Sequence, residues 1–302
     1  MSSGSPYTPS RRSRAIYTTW PIGVVCSVGV APELGGRTRN EDNYLICRGD
    51  VLRYVEKGRE VKRPSTQGSG MLLVVCDGMG GHEHGDIASH TAVRVMAKLH
   101  QKASPKRPEE ALLHYVGASH LQLHERMRAQ GPVTMGTTLT ACWFHHRKAY
   151  WTQVGDSHLY LFRDGHLKKL TRAQTRNEFG QRDGREATPD GQHLCQNFIY
   201  GSRGLGDDAA LRLDPGLDSG TEVLQTGDRL LLASDGLWGA LGESDIADVL
   251  DRVPYPQQAV EALVEKTMRA GSVDNITAIL TVVGDLAPPE GWDQDDIETH
   301  EG

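Results

Sequence analysis

Residues Met71 to Cys76 form an unbroken apolar run, MLLVVC, that stops at Asp77-Gly78. A run of this length, rich in Val and Leu and closed by glycine, predicts a strand buried on both faces, with Asp77 at its mouth. The pattern recurs. Arg229 to Gly236 reads RLLLASDG, another apolar strand ending in Asp-Gly, and Ser272 to Leu280 reads SVDNITAIL, an acid just before an apolar, β-branched strand. Asn40-Glu41-Asp42-Asn43 precedes the strand Tyr44 to Cys47. Acids thus stand at the ends of strands that are far apart in the chain.

Other stretches follow the same two periodicities. Ile22 to Val30, Gly136 to Phe144, Ala149 to Val154 and Leu159 to Leu170 predict further strands, with Asp164-Gly165 as a hairpin turn in the last. The polar stretch Asp50 to Gly70 fits a hairpin with an extended loop. Helical spacing covers Asp86 to Lys102 and Pro108 to Gln130, then Ser244 to Arg252, with Ser244 as N-cap, and Gln257 to Arg269. Strands outnumber helices, and the helices come in two pairs. The fold class expected is α+β: a four-layer α-β-β-α sandwich, two antiparallel sheets flanked by helix pairs. Three segments are expected, a flexible tail over 1–19, one catalytic domain over 20–284 and an acidic tail over 285–302. The polar stretch Thr171 to Ser202 reads as a functional loop or lid.

Composition narrows the function classes. A net charge of -6 disfavours nucleic acid and an acidic membrane surface as partners. No stretch approaches the roughly 18 apolar residues of a membrane span, so the expectation is a cytoplasmic protein and a monomer. Cys26, Cys47, Cys76, Cys142 and Cys195 are odd in number, lack a CxxC pair and mostly lie in apolar runs, which reads as reduced thiols. The pair His120 and His124 shares a helix face without a third ligand and reads as exposed. Gly201, Gly204 and Gly206 imitate a dinucleotide fingerprint but lack its βαβ setting.

A buried carboxylate needs a partner, since an unpaired charge costs several kcal/mol or takes up a proton. One Asp-Gly is an ordinary turn, but repetition at several strand mouths points to a metal ion, and Gly78, Gly80 and Gly81 let carbonyls, water or a bulky anion come close.

In chain order, Arg37-Thr38-Arg39-Asn40-Glu41-Asp42, Asp77-Gly78-Met79-Gly80-Gly81-His82, Met135-Gly136-Thr137-Thr138, Val154-Gly155-Asp156-Ser157, Ser234-Asp235-Gly236-Leu237-Trp238 and Asp274-Asn275-Ile276-Thr277 resemble the motifs of the protein phosphatase 2C family of metal-dependent Ser/Thr phosphatases. The resemblance implies two Mn²⁺ or Mg²⁺ ions, with Asp77 bridging both, Glu41 and the Gly78 carbonyl serving one, and Asp235 and Asp274 the other. It implies that Asp42 orients water, that Arg37 grips the substrate phosphate with Arg39 as its rival, and that Asp156 helps hold a third ion. Where some relatives carry a His directly after Asp-Gly to protonate the leaving group, Met79 stands here, and His82 is the candidate substitute. Two further departures concern the third ion: His158 where the family often has Arg, and Gly239 where it often has an acid. The formal charge near -4 on Glu41, Asp77, Asp235 and Asp274 calls for two divalent cations, and all-oxygen ligation selects Mg²⁺ or Mn²⁺ over zinc.

The function expected is hydrolysis of phosphoserine and phosphothreonine by metal-activated water, on phosphoproteins tied to a Ser/Thr kinase or its substrates. The alternatives are a phosphatase-like module used for binding, separated by Mn²⁺ calorimetry, and a small-molecule phosphatase, separated by comparing turnover on phosphopeptides and metabolites.

Overall fold

The computed structural model describes residues 19–65, 70–79, 84–102, 107–130, 135–175, 199–201 and 217–286. All but Thr19, Asp285 and Leu286 of the two expected tails, Gly80, Gly81, His82, Cys195 and most of the expected lid lie outside them; Leu286 packs in the core. The described elements begin with β1 (Ile22–Ser27), β2 (Asn43–Arg48), β3 (Val51–Glu56), β4 (Arg59–Pro64), β5 (Met71–Cys76) and β6 (Gly78–Met79). Helices α1 (Gly85–His100) and α2 (Pro108–Gln130) follow, then β7 (Met135–Thr137), β8 (Leu139–His145), β9 (Lys148–Val154), β10 (His158–Arg163), β11 (His166–Lys169) and β12 (Ile199–Gly201). The C-terminal part holds β13 (Asp218–Val223), β14 (Arg229–Ala233), α3 (Asp235–Trp238), α4 (Glu243–Arg252), α5 (Pro256–Arg269) and β15 (Ile276–Val282).

Two large antiparallel sheets carry the molecule, in strand order β1-β15-β14-β10-β11 and β13-β9-β8-β5-β2-β3-β4. Because side chains alternate along a strand, β5 splits its apolar run between two cores. Leu72, Val74 and Cys76 face α1 and α2, packing with Ala92, Met96, Leu112 and Tyr115. Met71, Leu73 and Val75 face the other sheet and meet Leu159, Leu230, Leu232 and Ile279. A third core joins the far face of that sheet, through Leu231, Ala278 and Leu280, to Ile246, Leu250 and Leu263 of α4 and α5. Three apolar layers between four structural ones are the expected sandwich. A small third sheet, β12-β7-β6, was not expected; its strands are too short to show a period.

Local chemistry explains some element ends. Asp164 and Gly165 both have positive φ, 50° and 76°, as a two-residue hairpin turn needs. The stretch over residues 50–70 supplies β3 and β4, which widen the second sheet at its edge. Pro256 opens α5 at a position where its missing N–H costs nothing. Ser244, by contrast, is not an N-cap: α4 starts one residue earlier, behind Gly242, with no side-chain cap. His120 also departs from its expected exposure, being buried at 3%. Burial, and then His124, push its imidazole down to about 4, so it packs as a neutral core residue.

Trp143 lies at the centre of the helix-side core, fully buried, stacked on Tyr115 at 6.2 Å and edge-on to His100 at 4.7 Å. Trp143→Ala is expected to destabilise the fold by about 3–5 kcal/mol. A urea melt checks this, and an unchanged midpoint would show that the layer collapses around the loss.

Candidate metal centre

The antiparallel registers bring the acid-bearing strand ends to one end of the sandwich. Asn43 pairs with Cys76, so Glu41 and Asp42 at the start of β2 lie beside Asp77 at the end of β5. Ala233 pairs with Ala278, which sets Asp235, after β14, beside Asp274, before β15. Leu139 pairs with Val154, so the β9–β10 turn holding Asp156 arrives at the same end.

Hydroxyls and amides lock these ends together. The Asp77 backbone N–H donates to Thr138 Oγ1 at 3.0 Å, and the Asp77 carbonyl accepts from the Thr138 N–H at 2.8 Å. Thr138 Oγ1 lies 2.9 Å from Ser157 Oγ, which ties the Asp77 strand to the Asp156 turn. Ser234 Oγ donates to Asp42 Oδ2 at 2.9 Å and accepts from the Thr277 N–H at 2.9 Å, crossing between the two sheets. Asn275 accepts from the Glu41 N–H at 2.8 Å and donates to the carbonyls of Val28 and Arg39 at 3.1 and 3.0 Å. Sequence reading placed Thr138, Ser157, Ser234 and Asn275 in motifs without giving them roles.

The carboxyls behave as one electrostatic group. Burial is the main cause that lifts Asp42 to about 7, with Asp235 and Asp274 pushing the same way against the hydroxyls of Thr277 and Ser234. Asp77 is raised well above the carboxylate range by burial and then by Asp42, Asp235 and Asp156. Burial, then Asp235, lifts Asp156 to about 7. Asp235 is raised by burial, partly offset by its hydrogen bond with Asp77. Two carboxyls in mutual hydrogen bonding need a proton between them, and a cation can take that proton's place. Glu41, nearer solvent, is raised by burial and by Asp86 against the pull of Arg37.

Arg37 stands at the mouth and donates through Nη2 to Asp274 Oδ2 at 2.8 Å. That bond raises the guanidinium pKa first, with Asp274, Glu41 and Asp235 adding to it. A cleft of about 600 Å³ opens beside it, lined by Arg37, Arg39, Glu41, His84, Asp86 and Ile87 among others. The rival cation Arg39 therefore faces the same space. His158 is buried, 4.7 Å from the Trp238 ring, and burial and Lys169 push it down to about 3. It is neutral and adds no charge beside Asp156.

Gly85 was not singled out in the sequence, yet it shapes the site. A Cβ there would lie 2.8 Å from the Gly78 carbonyl oxygen and 2.9 Å from Glu41 Oε2, so only glycine leaves those two oxygens facing common space. Asp42 Oδ1 is buried and has no hydrogen-bond partner among the described residues. Among the described residues no three Asp, Glu, His or Cys side chains are drawn tightly enough to hold a metal ion unaided. Like charges resist that approach, and a backbone carbonyl and water are ordinary members of a hard-cation shell. The all-oxygen donor set and the Gly85 cradle fit divalent Mg²⁺ or Mn²⁺.

Comparison with known proteins decides what this arrangement belongs to. Residues 64–275 match the family model described as Protein phosphatase 2C. The chain belongs to the protein phosphatase 2C family. It is 30% identical to the serine/threonine protein phosphatase PstP of Mycobacterium tuberculosis over 245 residues, 78% of this chain and 46% of that protein. The chain thus spans about half the length of PstP. It is 32% identical to the protein phosphatase PhpP of Streptococcus pneumoniae over 216 residues, 69% of this chain and 84% of PhpP. The crystal structure of the catalytic domain of PstP, in complex with 2 manganese ions, superposes with a TM-score of 0.68 at 26% identity, covering 88% of this chain and 99% of that one.

The raised carboxyls have a consequence for stability in the metal-free chain. Asp42 and Asp156 titrate near 7 in the fold and near 3.8 in an exposed carboxyl. A folded pKa above the unfolded one gives stability that is complete below about 4 and is lost as pH rises through about 7. The melting temperature in chelator is therefore expected to fall between pH 5 and pH 8, and Mn²⁺ to recover it at pH 8. A melting temperature flat across that range in chelator would contradict the coupling of these groups.

Proposed function

We propose that this chain is a metal-dependent protein serine/threonine phosphatase. The observation that carries the reading is the convergence of the buried, mutually repelling Asp42, Asp77, Asp156 and Asp235 beside Arg37 at one end of the sandwich. Glu41, Asp77, the Gly78 carbonyl, Asp235 and Asp274 would hold two Mn²⁺ or Mg²⁺ ions, and Asp156 would contribute to a third. With Gly239 lacking a side chain, that third site draws on fewer protein oxygens. Divalent cations there supply Lewis acidity, lowering the pKa of water and offsetting charge on phosphoryl oxygens.

The chain's own residues do the rest. Arg37 spends one donor on Asp274, and the remaining N–H groups of its planar fork suit a bidentate grip on phosphate. Asp42, held by Ser234, keeps Oδ1 free to accept from water and fix its direction. The cleft lined by Arg39 and His84 admits a phosphorylated side chain from solvent. No nucleophilic side chain is required.

The substrates proposed are phosphoproteins, those of a Ser/Thr kinase, acted on by a monomer. The described cysteines, Cys26, Cys47, Cys76 and Cys142, are all free, which suits a reducing, cytoplasmic setting. No described helix is long and apolar enough to cross a membrane. Initial rates on a phosphothreonine peptide with Mn²⁺, Mg²⁺ or chelator test the proposal. Turnover that needs the metal supports it, and turnover undiminished in chelator overturns it. Arg37→Ala is expected to raise KM for phosphopeptide about tenfold or more, whereas an unchanged KM would move the phosphate grip to Arg39.

A further inference from the structure

His90, Arg94 and Lys98 on α1, and Lys102 just past its cap, recur at four-residue intervals. Residues so spaced share one helix face, where each like-charge pair costs about 0.2–0.5 kcal/mol. Other helices answer a base with an acid, as in Arg252 with Asp248 and Arg269 with Glu265. Arg94, Lys98 and Lys102 make no ion pair among the described residues. Glu56 of β3 lies 3.9 Å from His90 and also interacts with Arg94, whereas Lys98 and Lys102 have no acid paired with them among the described residues.

The stripe lines a cleft of about 650 Å³, whose rim is completed by Arg63 of β4 and Arg126 of α2 and whose floor includes Leu52 and Tyr54. Thr91 Oγ1 accepts from Arg126 Nη1 at 2.7 Å, fixing that guanidinium while its other donors stay available. No carboxylate lines the cleft itself among the described residues, although the chain carries a net charge of -6; Glu56, beside it, pairs with Arg63 at 2.8 Å and leaves Lys98, Lys102 and Arg126 as the cations open to a ligand.

The cleft is joined to the metal centre by the same helix face. Asp86 and Ile87, in the first turn of α1, line the space beside Arg37, and His90 and Thr91, one turn on, begin the basic cleft. At about 1.5 Å of rise per residue, Lys98 and Lys102 lie roughly 16 and 22 Å along the axis from Ile87. An extended peptide covers that span in about five to seven residues.

We propose that the basic cleft along α1 docks an acidic stretch of the protein substrate, about five to seven residues from the phosphoresidue held at the carboxylate cluster. The assignment rests on the phosphatase reading of that cluster. A helix face whose basic far end leads back to the chemistry suits a peptide chain, whose register the cleft would set.

The test uses phosphothreonine peptides that differ only in whether three Glu or three Gln occupy positions five to seven on one side or the other of the phosphoresidue. The variant R94Q/K98Q/K102Q alters exposed positions and keeps good helix formers. Wild type is expected to show a KM about tenfold lower for one acidic peptide than for its neutral twin. The variant should lose that advantage with kcat unchanged and with para-nitrophenyl phosphate turnover unaltered. Equal KM values for acidic and neutral peptides in wild type, or an advantage that survives in the variant, overturns the proposal. Fluorescence anisotropy of the labelled acidic peptide decides the docking separately. If wild type hydrolyses no phosphoester at saturating Mn²⁺, the phosphatase reading fails, while loss of anisotropy-detected binding in the variant still supports the cleft and equal binding still refutes it.

Discussion

Asp77→Asn is expected to lower Mn²⁺-dependent phosphopeptide hydrolysis by more than about a hundredfold, since even the outer partners of metal ligands are worth 10–100-fold. Asp77 interacts with Asp42, Asp235 and Asp156 at once. Asparagine keeps the shape and the backbone bonds to Thr138 while removing one of several like charges. The substituted chain should therefore fold and, in chelator at pH 8, melt no lower than the parent. Loss of activity with a preserved melting curve is the expected pair of results. Undiminished turnover would remove Asp77 from the chemistry, and loss of fold would make its role structural.

Gly85→Ala is expected to raise the Mn²⁺ concentration for half-maximal activity by about 10–100-fold, with a smaller effect on stability. The added methyl would press on the Gly78 carbonyl at 2.8 Å, a backbone atom with little freedom, and on Glu41 Oε2 at 2.9 Å. Both oxygens are proposed to serve one ion, so a methyl between them acts on that subsite rather than on the whole cluster. Activity against Mn²⁺ concentration, measured alongside thermal melts, separates the two effects. An unchanged half-saturation point would mean that Gly78 and Glu41 do not share an ion.

Much of this was legible in the chain because the strongest signals are local. The run Met71 to Cys76 with an acid at its end, and its echoes before Asp235 and after Asp274, announce buried strands with charged mouths. Paired helices after β5 and before β15 likewise follow from 3.6-residue spacing. What stayed hidden depends on register between distant strands. Ser234 becomes the holder of Asp42 only because the end of β14 lies beside the start of β2, the two residues 192 positions apart in sequence. Gly85 looks like one more loop glycine until the Gly78 carbonyl and Glu41 are placed against it. The four-residue helix α3 after Asp235 and the short strands of the third sheet are below the length at which periodicity speaks. His120 shows the converse error, since helical spacing alone does not say which polar face a second helix covers.

The most direct test is diffraction from crystals grown in Mn²⁺, with data collected at the manganese absorption edge. The expected result is two anomalous peaks within the oxygens of Glu41, Asp77, Gly78, Asp235 and Asp274, each lost in the Asp77→Asn protein. Saturating Mn²⁺ with no peak among those oxygens, or peaks bound only elsewhere on the surface, would contradict a metal centre at this end of the sandwich.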